Sequence, residues 1–168
     1  MTHSWTEVQA LATKAASGAA VPPAQALAFG AMLTRHLADG GAEGPIVAAL
    51  QAPETIVTLA LRIERVIEAA SLGVVPVSVI EEEPGQRALL ISWLSGLPCQ
   101  TDLKMKGDVI VASVTLSAPS QRTRPDRIRL SPVLETQMQD LAARTFVPDS
   151  DSSRASGAGT GAGQMELD

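Results

Sequence analysis

Hydrophobic side chains change their spacing at Gly73, and that change constrains the fold more than any other feature of this chain. Before Gly73 they recur every three or four positions, the period of an α-helix. After it they gather in β-favouring runs. A helical period does not suit a sheet, so the two halves must build different layers. The expected class is α+β: an N-terminal helical half, a small, mostly antiparallel sheet, one C-terminal helix and a Gly/Ser-rich tail.

The helical half is well punctuated. Ser4 and Glu7 have the spacing of a capping box, and Val8, Leu11, Ala12 and Ala15 then share a face as far as Gly18. Pro22 and Pro23 open a second helix that stops at Asp39-Gly40-Gly41. A short helix is expected over 45–50. A longer one follows Pro53, with Ile56, Leu59, Ile63 and Val66 inside and Arg62, Glu64, Arg65 and Glu68 on its wet side. Past Gly73, residues 74–80 favour strand, Glu81-Glu82-Glu83-Pro84-Gly85 reads as a charged turn, and residues 88–94 read as a buried strand. Residues 108–117 are apolar on both faces and belong centrally in the sheet. Residues 122–130 are polar and read as an edge strand, broken by Pro125-Asp126. Ser131-Pro132 starts the last helix. The expected division is one domain over 1–148 and a tail over 149–168.

Composition narrows function by exclusion. Aromatic residues make up 2% of the chain, so the core must be aliphatic. The net charge of −5 argues against general nucleic-acid binding, which needs surplus Lys and Arg. One cysteine, Cys99, excludes an intramolecular disulfide and favours a reducing compartment. No basic leader with an apolar run opens the sequence, and no stretch approaches the roughly 20 apolar residues of a membrane span. A cytoplasmic, bacterial protein without nucleic-acid or membrane partners is the expectation, the source being inferred from Ala- and Arg-rich, Lys-poor usage.

No familiar catalytic centre is legible. His3, His36 and Cys99 lack metal-ligand spacing, and no nucleophile elbow is present. His36 and Cys99 read as structural, and the Glu81–Glu83 run as solvated. Neither metal nor cofactor is expected. Six of the thirteen basic residues, however, lie between Arg122 and Arg154. Arg122 with Arg124, or Arg127 with Arg129, would share a face in a strand and could hold a carboxylate or phosphate in paired guanidinium forks. The plainer alternative is a sheet edge guarded by charge. In the tail, Gly157, Gly159, Gly161 and Gly163 alternate with small residues, which permits an anion-binding nest or simple disorder.

Two segments carry a resemblance. Residues 4–19, SWTEVQALATKAASGA, and the closing Arg144-Thr145-Phe146-Val147-Pro148 with Ser153-Arg154 and Gly157-Ala158-Gly159 resemble the two ends of the bacterial "domain of unknown function 3726" family. The resemblance covers about 40 residues. It brings no activity and no catalytic residues, but implies that the tail motif characterises the family.

The functional expectation is a non-catalytic accessory subunit of a bacterial metabolic enzyme. Its contact surface would comprise Arg122, Arg124, Arg127, Arg129, Arg144, Ser153, Arg154, Gly157 and Gly159. The alternative is a small anion-binding protein, or an enzyme of unrecognised type, using the same arginines. A homo-oligomer paired through sheet edges or tails is the third reading.

Overall fold

The computed structural model describes residues 2–145. In chain order its elements are β1 (Thr2–His3), α1 (Trp5–Gly18), α2 (Pro23–Ala38), α3 (Glu43–Gln51), α4 (Pro53–Ser71), β2 (Val77–Ile80), α5 (Pro84–Ser95), β3 (Cys99–Lys106), β4 (Val109–Pro119), β5 (Ile128–Arg129) and α6 (Pro132–Ala143). The class is α+β, and both sheets are antiparallel.

The helix starts follow local chemistry. The Ser4 and Glu7 side chains each accept the other's backbone N–H, closing the capping box of α1. Ser131 accepts from the Leu134 N–H at the start of α6, and donates through N–H and Oγ to Glu43 on α3. One serine therefore caps a helix and ties it to another.

α2 is the hub of the helical layer, packing against α1, α4 and α5. Phe29, Met32 and Leu33 on this helix are fully buried. Phe29 meets Trp93 of α5 edge to face, with ring centroids 6.5 Å apart. Ile46, Ile56 and Leu59 are also fully buried, so among the described residues the buried core is aliphatic apart from these two rings.

The larger sheet runs β2-β4-β3, with β4 central as its composition requires. Ile110, Ala112 and Val114 face the helices and are buried, whereas Val109, Val111 and Ser113 are half-buried on the other face. Lys106 pairs with Val109 across a two-residue turn. Gly107 stands there at φ 61, a left-handed conformation that glycine accepts without strain. The second sheet is a two-residue pairing of Thr2–His3 with Ile128–Arg129, which holds the start of the chain to the segment before α6.

Three local expectations are corrected. Residues 88–94 lie within helix α5, not in a strand. Leu89, Leu90, Trp93 and Leu94 are buried at helical spacing, and Pro84 and the Glu83 side chain start the helix. A short apolar run has no decisive period of its own; the cap permits a helix, and packing on α2 and α4 selects it. The strand over 99–106 completes the sheet instead. Secondly, Glu81 is buried rather than solvated. It pairs with Arg62 and accepts from the Glu83 N–H, so Arg62 is not simply on the wet side of α4. Thirdly, only Ile128–Arg129 of the predicted edge strand over 122–130 pairs with another strand. Residues 120–127 run as irregular chain because Pro125 cannot donate to a ladder.

Two exposed caps set the acid side of stability. Backbone and side-chain donors on Ser4 hold the Glu7 carboxyl below the ordinary glutamate range. The N–H groups of Gly85 and Gln86 do the same for Glu83. A carboxyl lowered in the folded state contributes stability above its unfolded pKa and loses it as pH falls. The melting temperature is therefore expected to decline as the solution is taken from pH 6 to about pH 3, through the glutamate range. Glu83→Gln should make the decline shallower, and a profile identical to the native one would contradict this assignment.

Candidate functional site

The arginines that converge in space are Arg35, Arg122 and Arg124. Arg35 sits in the last turn of α2 and is more than nine-tenths buried. Its Nε donates to Asp39 Oδ2 at 2.9 Å, and its Nη2 pairs with Asp39 Oδ1, so the fork grips the carboxylate side-on. Its Nη1 donates to the Thr123 carbonyl at 2.9 Å and tethers the irregular segment to α2. From that segment Arg122 Nη1 reaches Asp39 Oδ2 at 3.1 Å.

Trp5, the first residue of α1, forms the floor. The Arg35 guanidinium carbon lies 5.6 Å from its ring centroid and that of Arg124 lies 5.0 Å away. Both are within cation–π range. The indole Nε1 donates to Gln9 Oε1 at 3.1 Å, which fixes the ring on its own helix. Arg124 is exposed and has no carboxylate partner among the described residues.

These side chains border a cleft of about 280 Å³ whose far wall is the end of α5, at Gly96. Gly96 passes close to Arg35, since a Cβ there would lie 3.3 Å from Arg35 Cγ. Three guanidinium groups thus gather at one aromatic face, two of them sharing one carboxylate. The arrangement can accept an anionic group through Arg122 and Arg124 without desolvating an unpaired charge. A larger groove of about 720 Å³ lies between α3 and α6, but its charged lining is one acid, Asp140, and one base, Arg144, which offers no comparable convergence.

The structure divides the sequence-predicted arginines. Arg122 and Arg124 come together, although on irregular chain and not on one strand face. Arg127 is exposed, with Glu7 in electrostatic range, and Arg129 is exposed on β5 opposite Thr2. Arg144 caps the end of α6 in the other groove. Ser153, Arg154, Gly157 and Gly159 lie outside the described residues.

Sequence reasoning missed Trp5, Arg35 and Asp39. Arg35 and Asp39 do stand four apart at the end of a predicted helix, the spacing of a helical ion pair. Trp5 is one of only two tryptophans, and it directly follows the cap. His36, next to Arg35, points the other way: its ring bridges Ser92 Oγ and the Ala42 carbonyl, each at 2.8 Å. The carbonyl can only accept, so Nε2 carries a proton directed at it. Among the described residues no group of three or more His, Cys, Asp or Glu is placed to hold a metal ion, and no single helix is long and apolar enough to cross a membrane.

No protein-family model, curated protein or solved structure matches the chain. The site's meaning rests on its own geometry.

Proposed function

We propose that this chain is a non-catalytic binding protein and that the Trp5 cleft captures an anionic group. One observation carries the reading: Arg35 and Arg122 share a single carboxylate, Asp39, while Arg35 and Arg124 lie over a single indole, Trp5. Guanidinium forks match carboxylate and phosphate oxygens in pairs, and stacking on an aromatic ring orients the fork before a ligand arrives. The wider role that fits is accessory, with the cleft as part of a surface that meets a larger partner. The resemblance of the chain's two ends to a bacterial family without assigned activity is compatible with that role.

The test is a thermal-shift series with acetate, malonate, inorganic phosphate and sulfate at fixed ionic strength. A ligand present at 100 times its dissociation constant adds about 2.7 kcal/mol of stability. At least one anion is expected to raise the melting temperature, and Arg124→Ala is expected to abolish that rise. Because the Arg124 side chain is exposed, the unliganded stability of the variant should stay within about 0.5 kcal/mol of the native value. No shift with any of the four anions would overturn the proposal.

A further inference from the structure

The charge balance of the cleft goes further than the word anion. Two helices end beside it with their carbonyl poles: α2 at Asp39 and α5 at Gly96. Each pole carries about half a negative charge. Three guanidinium groups therefore face one carboxylate and two such poles, which leaves room for about one further negative charge. A monoanion meets that balance, whereas a phosphate dianion exceeds it.

Asp39 shows which chemistry the forks accept. It stands at the C-cap of α2, the end of a helix where a negative charge is least welcome. Two arginines offset that cost, one from its own helix and one from the segment after β4. The Arg35 pair is deep, since that side chain is 10% exposed, but the Arg122 side chain is 50% exposed and can leave without opening the core. The cleft itself is open to solvent and its volume of about 280 Å³ suits one or two amino-acid residues rather than a cofactor.

Resting on the anion-capture reading, we infer that the occupant is a single carboxylate side chain on an acidic segment of a partner protein. Asp39 holds its place on Arg122 in the free chain. On binding, Arg122 turns from Asp39 to the incoming carboxylate, Arg124 supplies the second fork from its stacked position on Trp5, and Arg35 keeps Asp39. Asp39 is thus an internal competitor that an incoming carboxylate displaces from Arg122.

Three probes test this: an acetylated, amidated peptide with one central aspartate, the same peptide with asparagine in its place, and inorganic phosphate. The indole N–H signal of Trp5 reports binding by NMR, and Trp93, the other tryptophan, is buried in the core and serves as the internal control. The aspartate peptide is expected to shift the Trp5 signal saturably and the asparagine peptide to leave it unmoved. Asp39→Asn should tighten the aspartate peptide by about tenfold, because one competing ion pair is removed. The Arg122 side-chain signal of the native chain provides a readout that needs no Asp39 variant, and it should move with the same midpoint as Trp5. If the aspartate peptide binds but neither Asp39→Asn tightens it nor Arg122 moves, the place-holding role is overturned and anion capture stands. If phosphate binds more tightly than the peptide, the carboxylate assignment is overturned and anion capture again stands. If neither peptide nor phosphate moves Trp5 in the native chain or in Asp39→Asn, both inferences fall.

Discussion

Gly18→Ala is expected to destabilise the protein by about 3 kcal/mol, at the upper end of what one added methyl group usually costs in a packed interior. Gly18 closes α1 where it crosses α6, and a Cβ there would lie 1.8 Å from the Leu141 carbonyl oxygen and 2.6 Å from its carbon. Neither atom can turn aside, since both belong to the backbone of α6. The two helices would have to separate, loosening Ala12, Ala15 and Ala16 on one side and Met138 and Leu141 on the other. Gly44 supplies the contrast. It also lies in a helix, α3, but a Cβ there would meet nothing within 4 Å. Gly44→Ala should gain up to about 1 kcal/mol from helix propensity alone. Thermal melts followed by circular dichroism should show Gly18→Ala lowered by about 6 to 12 °C and Gly44→Ala unchanged or raised. A Gly18→Ala protein as stable as the native one would mean that α1 and α6 do not cross this closely.

Arg35→Ala should remove both the site and a sizeable part of the stability. Its guanidinium holds Asp39, the Thr123 carbonyl and the indole of Trp5 at once. Without it, Asp39 keeps only the exposed Arg122 and stands uncompensated at the negative end of α2. Breaking a buried pair by removing one partner costs about 3 to 5 kcal/mol; Asp39 is partly open to water, so about 2 kcal/mol is expected here. Residues 120–127 lose their tether to α2, and anion-dependent stabilisation should vanish. Arg35→Lys separates charge from geometry: an ammonium keeps the charge but not the side-on grip or the stacked plane. It should recover part of the stability and little of the binding. Full recovery of binding by lysine would show that charge alone, not fork geometry, makes the cleft.

The cluster also illustrates where a one-dimensional reading runs out. Arg122 and Arg124 were legible as a pair because two arginines two apart in a basic window are conspicuous. Their partner Arg35 lies some ninety positions earlier. Nothing local marks it as different from any arginine near a helix end. The assembly depends on the α1–α2 and α2–α5 packing, which brings the first residue of one helix, the last turn of the next and the end of a third to one place. Likewise Glu81 belonged to an acidic run that looked solvated. Only the approach of Arg62 from α4 made its burial affordable.

What this sequence determined by itself was the local grammar. The Ser4–Glu7 box, the prolines at the starts of α2, α4 and α6, and the alternation that made β4 a central strand are short-range instructions, and each was obeyed. The tertiary structure decided the state of residues 84–106. A seven-residue apolar stretch satisfies a buried helix and a buried strand equally well, and the choice fell to helix once Leu89, Leu90, Trp93 and Leu94 could pack on α2 and α4. The tertiary structure also decided which arginines meet. Helix propensity and capping act over a few residues, whereas a binding cleft is made of side chains brought together by packing, and packing distances are not written in sequence separation.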